Sequence, residues 1–121
     1  MKRKRLISLA LAAVMALTVC LTSVSAAQDS ASNERLNAVL YLQPGYGWAT
    51  SYYPNAMAEV QIMAYYNDAD GYNYSKVDHA YRLSGGTVQG KVYAPAGYSF
   101  HRAISHHVGN TIYKIDLSVY A

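Results

Sequence analysis

From Tyr98 to Tyr120 apolar and polar side chains alternate almost without a break, and the one interruption is Gly109-Asn110. Both residue types tolerate the positive φ angles of a two-residue hairpin turn. Folding the segment there sets Val108 opposite Thr111, His106 opposite Tyr113, Ile104 opposite Ile115, Arg102 opposite Leu117 and Phe100 opposite Val119. These side chains share one face, which is largely apolar. His107, Ser105, Ala103, His101 and Ser99 share the polar face with Ile112, Lys114, Asp116, Ser118 and Tyr120. A one-residue slip would exchange the two faces, so burial of either one fixes the register. The segment predicts a β-hairpin with Ile104 and Ile115 in a core. Arg102 is then the one charge on the apolar face, placed at the rim, where its stem can snorkel outward.

The chain begins with a different pattern. Lys2, Arg3, Lys4 and Arg5 precede an apolar run from Leu6 to Leu21, and Val24-Ser25-Ala26 supplies small residues for cleavage. This is the layout of a bacterial-type secretory signal peptide over residues 1–26, with cleavage after Ala26 or Ala27. Cys20 is the only cysteine. Lipidation there is disfavoured, because the bulky Val19 stands where a lipoprotein signal needs a small residue. The expected product is extracellular, has no stable membrane anchor after cleavage, and is free of disulfides. Small exported domains commonly lean on disulfides, so this one must stand on its core.

Loss of the leader also reverses the charge. Ten Lys and Arg face seven Asp and Glu in the whole chain, but four of the ten are residues 2–5. The remaining six against seven give a formal −1 from residue 27 onward. A domain so nearly neutral has no electrostatic footprint for nucleic acid or for an anionic membrane.

Residues 27–35 are polar, rich in Ser and Asn, and read as a flexible lead-in. Residues 36–121 then break into short alternating runs separated by turn residues. Leu36 to Gln43 ends at Pro44-Gly45, Gly47 to Tyr53 at Pro54-Asn55, and Glu59 to Tyr66 at an Asn-Asp-Ala-Asp-Gly turn. Tyr74 to Leu83 and Thr87 to Ala94 precede the closing hairpin. Beyond residue 30 no sustained 3.6-residue apolar period appears, with the weak exception of Pro54 to Met63. Six to seven strands at this spacing predict an all-β domain, a small antiparallel β-sandwich or partly closed barrel.

Candidate chemistry is thin. Aligning Gly71 with the invariant glycine of an EF-hand loop puts Tyr66 at the first ligand position and Val77 at the last, where oxygen ligands belong. Asp70-Gly71 reads better as a hairpin turn. Among the histidines, His101 and His107 sit six residues apart on one strand, roughly 20 Å at strand rise, so they cannot share an ion. His79 and His106 fall on inward faces by alternation, with no third ligand to complete a zinc shell. They read as buried, neutral, hydrogen-bonded histidines. No Gly-x-Ser-x-Gly elbow presents a nucleophile, and no spacing selects a carboxylate pair from Glu59, Asp68, Asp70, Asp78 and Asp116. The expectation is a non-enzymatic protein with no metal and no cofactor. A small hydrolase is the alternative from a different class.

Tyrosine is the departure from ordinary composition. All thirteen tyrosines lie beyond the leader, with one Trp and one Phe. Alternation sends Tyr66, Tyr81 and Tyr113 inward and Tyr41, Tyr65, Tyr74, Tyr93 and Tyr120 outward. Outward tyrosines are also ordinary strand formers on a wet face. Tyr41, Tyr65 and Tyr93, with Trp48, are the residues selected for a contact platform, since such rings offer apolar area and a polar tip at low entropic cost. Gly45-Tyr46-Gly47-Trp48 followed by Ser51-Tyr52-Tyr53 resembles the Gly/Trp/Tyr-rich start of small exported bacteriocins of the lactococcin type. The resemblance spans about ten residues and implies, as an alternative, a secreted toxin. The reading carried forward is a secreted binding or interaction module for a glycan, cell-wall or protein ligand.

Overall fold

Alternation builds most of the molecule. The structure, a computed structural model, describes residues 26–121, so the expected signal peptide up to residue 25 and Cys20 lie outside the described residues. Eight strands follow in order: β1 (Ala27–Asn33), β2 (Leu36–Gln43), β3 (Tyr46–Tyr53), β4 (Ala58–Asn67), β5 (Asn73–Arg82), β6 (Gly86–Tyr93), β7 (Phe100–Gly109) and β8 (Tyr113–Tyr120). They form two antiparallel four-stranded sheets, β1-β2-β3-β6 and β5-β4-β7-β8, packed face to face. This is the expected sandwich, with eight strands where six or seven were expected.

Between the sheets lies one apolar layer. β2 contributes Leu36, Ala38, Leu40 and Leu42, and β4 contributes Ala58, Val60, Ile62 and Ala64. Val88 and Val92 come from β6, Leu117 and Val119 from β8. Each set occupies every second position, as the sequence predicted. Truncation there leaves a cavity as well as losing transfer free energy.

The extra strand is β1. It pairs antiparallel with β2 from Ala27↔Leu42 to Asn33↔Leu36. No alternation announces it, because its side chains are exposed on both faces after Ala27. What orders it is the backbone ladder offered by the edge of β2, not the burial of its own side chains.

The sheet edges cover one another at the two corners. At one, the Lys91 amide of edge strand β6 donates to Asp78 of β5 at 2.9 Å. At the other, the Asn33 side chain of β1 donates to the Lys114 carbonyl of β8 at 3.3 Å. Unpaired edges invite pairing with other chains, and this apposition blunts both.

The closing hairpin forms, but three residues out of the expected register. Gly109 pairs with Tyr113, Val108 with Lys114, His106 with Asp116 and Ser105 with Leu117. The turn is Asn110-Thr111-Ile112, with Asn110 and Thr111 at φ 53° and 62°. An odd shift turns one strand over. β8 keeps Tyr113, Ile115, Leu117 and Val119 toward the core, whereas β7 turns in Ala103, Ser105 and His107. Ile104, His106 and Arg102 therefore face outward, contrary to the sequence reading. A register shift between Tyr65 and Tyr66 on β4 leaves His101 without a partner on β4 and brings Phe100 back inside. His79 is likewise outward, because β5 turns Asp78 and Ala80 toward the interior.

Gly109 is a glycine for a packing reason, not a turn reason. A Cβ there would overlap the ring of Tyr53, which stacks on Tyr113 at 5.8 Å between centroids. Gly109 can therefore close the β7 ladder while the turn moves one step further along the chain.

Replacing the fully buried Ile62 by Ala should cost about 2–5 kcal/mol in urea unfolding. Ile104→Ala, on the outer face, should cost clearly less. Gly109→Ala should cost about 1–3 kcal/mol through displacement of the tyrosine stack. Equal losses for the two isoleucines would put the β7 register in error.

Candidate binding face

The outer face of the first sheet gathers aromatic rings that the sequence scatters over fifty residues. On β2 the outward side chains include Tyr41 and Gln43, on β3 Tyr46, Trp48, Thr50 and Tyr52, and on β6 Gln89, Lys91 and Tyr93. The ladder sets Tyr41 beside Trp48, Trp48 beside Lys91, and Tyr46 beside Tyr93. Tyr41 stacks on Trp48 with centroids 5.3 Å apart and planes 21° from parallel. It meets Tyr46 edge-on at 6.4 Å, and Tyr46 meets Tyr93 at 5.3 Å. The Gln43 amide donates to the Tyr41 hydroxyl and fixes one end of the cluster.

Three of the four residues picked from the sequence, Tyr41, Trp48 and Tyr93, thus come together. Tyr46, which joins them, was missed because the strand was started at Gly47. Its even spacing from Trp48 was the available signal. Gly47 itself is tied to packing: a Cβ there would press on the Leu42 side chain at 3.0 Å and the Tyr41 carbonyl at 3.2 Å.

Tyr65 does not join the cluster. It lies on the outer face of the second sheet, beside Arg102 of β7, whose guanidinium sits 5.4 Å from its ring centroid. Arg102 was expected on the apolar face opposite Leu117. It is opposite Tyr120 instead, with that ring centroid at 5.7 Å.

The histidines divide into exposed pairs and one buried ring. His79 Nε2 meets Glu59 Oε2, and His106 Nδ1 meets Asp116 Oδ1, both on the outer face of the second sheet. His101 meets Asn73. His107 is the buried one, where His79 and His106 were expected. The Ser51 hydroxyl donates to the Glu59 carbonyl at 2.7 Å, so its oxygen is free to accept from His107 Nδ1 at 2.8 Å. Nε2 then carries no proton and accepts from the Ser105 hydroxyl at 2.6 Å. The chain of bonds runs from β7 through β3 to β4 and crosses the space between the sheets. Burial pushes the His107 pKa from 6.5 down to about 4, with the Thr50 carbonyl partly offsetting it.

The acidic turn is occupied with itself. Asp68 Oδ1 accepts the amides of Asp70 and Tyr72, each at 2.9 Å, as an Asx turn does. Among the described residues no three His, Cys, Asp or Glu side chains are grouped as a metal shell requires.

Fold and face together define a two-sheet antiparallel β-sandwich carrying an aromatic ladder on one outer surface. Comparison with protein-family models, with characterised proteins and with solved structures finds no match.

The buried histidine sets a pH dependence. Its folded pKa lies below its unfolded value, so the unfolded chain takes up the proton first. The stability that neutral His107 protects is complete above about pH 6.5 and is lost as pH falls toward 4. The full loss over that window is about 3 kcal/mol. Urea midpoints measured from pH 7 to 4 should fall, and His107→Gln, less stable at pH 7, should show a flatter slope. An unchanged slope in that variant would remove His107 as the cause.

Proposed function

We propose that the protein is a secreted, non-enzymatic binding module whose contact surface is the Tyr41–Tyr46–Trp48–Tyr93 face. The observation that carries this reading is a continuous ring cluster on the solvent side of a sheet whose other side already supplies the core. Tyr93, at its margin, is 59 % exposed. Exposed aromatic clusters with polar neighbours are a recurrent mark of interaction surfaces. Gln43, Gln89 and Lys91 border the rings, and can orient a glycan, cell-wall or protein ligand by hydrogen bonds.

The near-zero charge beyond the leader supports the same reading. It leaves little long-range attraction, so affinity must come from desolvating amphipathic rings. Cleavage after Ala26 or Ala27 would free the β-sandwich from its leader, consistent with export.

Trp48 is the only tryptophan in the chain, so its fluorescence reports directly on this face. Titration with soluble cell-wall fragments, with oligosaccharides and with peptides should shift or quench that emission for one class of ligand. Tyr93→Ala should lose on the order of 2 kcal/mol of binding while leaving the fold intact, and Tyr93→Phe should lose less. Binding should change little between low and high salt. Binding that vanishes at high salt, or that survives loss of Tyr41 and Tyr93 together, overturns the assignment.

A further inference from the structure

The rows of the first sheet narrow what its outer face can hold. Across β1, β2, β3 and β6 they run Gln28–Tyr41–Trp48–Lys91, Ser30–Val39–Thr50–Gln89 and Ser32–Asn37–Tyr52–Thr87. A further row, Gln43–Tyr46–Tyr93, lies beyond the end of β1. Apart from Val39, every side chain in these rows that is not an aromatic ring ends in an amide, a hydroxyl or an ammonium. No carboxylate stands at any of these positions, and Lys91 is the one charge.

That charge is uncommitted. Lys91 is exposed, and both ion pairs among the described residues belong to histidines. Both cation–ring contacts among the described residues belong to Arg102. Asp78, across the corner on β5, accepts the Lys91 backbone amide at 2.9 Å and forms no ion pair with its ammonium. Side chains directly opposite each other in a ladder are roughly 5 Å apart at Cβ, so Lys91 stands beside Trp48. Tyr93 follows it two residues along β6, on the same side of the strand. A free cation is thus flanked by two members of the ring cluster.

We infer that the ligand of this face is an acidic saccharide, a chain of pyranose rings bearing carboxylates; the inference rests on the reading of the face as the contact surface. A sugar ring packs its C–H groups against Trp48 and Tyr93, and its carboxylate pairs with Lys91. Its hydroxyls have Gln43, Gln89 and Thr50 as partners, since amides and hydroxyls both donate and accept. An extended peptide gains main-chain affinity by adding to an open sheet edge. Both edges here are covered, β6 by Asp78 and β1 by β8. A nucleic acid draws its affinity from several cations along a phosphate backbone, and this face offers one.

The probe is a β-1,4-linked glucuronate trisaccharide, with cellotriose as its uncharged counterpart, each titrated against Trp48 fluorescence. The two differ only in carrying carboxylates or hydroxymethyl groups. The glucuronate chain should bind saturably and about fivefold more tightly than cellotriose, the upper reach of one exposed ion pair. Lys91→Gln should erase that preference and Lys91→Arg should keep it, while Tyr93→Ala should weaken both sugars. Equal affinity for the two trisaccharides, or a preference that survives Lys91→Gln, overturns the acidic-saccharide assignment and leaves the ring face as the contact surface. Absence of binding by either trisaccharide, with a peptide quenching Trp48 instead, overturns it in the same way. Glucuronate binding that survives loss of Tyr41 and Tyr93 together removes the face itself, and this inference with it.

Discussion

The two sheets are held in mutual register by one buried polar chain, from Ser105 through His107 to Ser51 and the Glu59 carbonyl. Apolar packing between sheets is tolerant of sliding, because one aliphatic contact resembles the next. A hydrogen-bonded imidazole is not tolerant. If β7 were turned over, His107 and Ser105 would leave the interior and Ile104 and His106 would enter it. Ser51 would then lose the imidazole and keep only the Glu59 carbonyl on the opposite sheet. Buried polar groups of this kind cost free energy unless every member is satisfied, and what they return is a single arrangement. In a β-sandwich with no cysteine among its described residues, that arrangement is not secured covalently.

The same chain decides the outside of the molecule. With Ala103, Ser105 and His107 inward, Arg102, Ile104 and His106 must point outward, since side chains alternate. The row of Tyr65, Arg102 and Tyr120 follows from the placement of the imidazole on the other side of the strand. The aromatic ladder on the first sheet is set independently, by β2, β3 and β6. The sandwich thus presents two unlike surfaces, one built from stacked rings and one from histidine–carboxylate pairs beside an arginine set against two tyrosines.

How much of this was legible depends on which force shaped each strand. β2, β4, β6 and β8 bury aliphatic side chains at every second position, and their inward faces were readable from Leu36, Val60, Val88 and Leu117 onward. β1 was invisible because Ala27 to Asn33 bury almost nothing, and backbone pairing leaves no trace in side-chain hydropathy. β7 was read inside out from Arg102 to His107, while Phe100 and Val108 at its two ends are buried as expected. Counting apolar residues favours Phe100, Ile104 and Val108 as the core face, and no hydropathy count credits a histidine whose two nitrogens are both bonded. The turn misled for a related reason: Gly109 looked like turn chemistry, but its missing side chain makes room for Tyr53. Of the candidate face, Tyr41, Trp48 and Tyr93 were found by parity alone, whereas Tyr65 has the right parity on the wrong sheet. Parity says which side of a strand a residue occupies and not which sheet the strand joins.

The contact between Gly109 and Tyr53 has a consequence for how such a sequence can drift. The two positions are fifty-six residues apart, on different sheets, and neither is polar or exposed enough to attract notice. Yet they occupy one volume. A methyl group can be accepted at position 109 only after the ring at 53 has shrunk or moved, and that ring is itself committed to Tyr113. The three positions therefore form one inherited unit. Descendants of a common ancestor should keep Gly, Tyr and an aromatic partner together or exchange them together, and single replacements should be rare among them. Such a correlated triplet would mark this fold in sequences too diverged for the alternating strands to align.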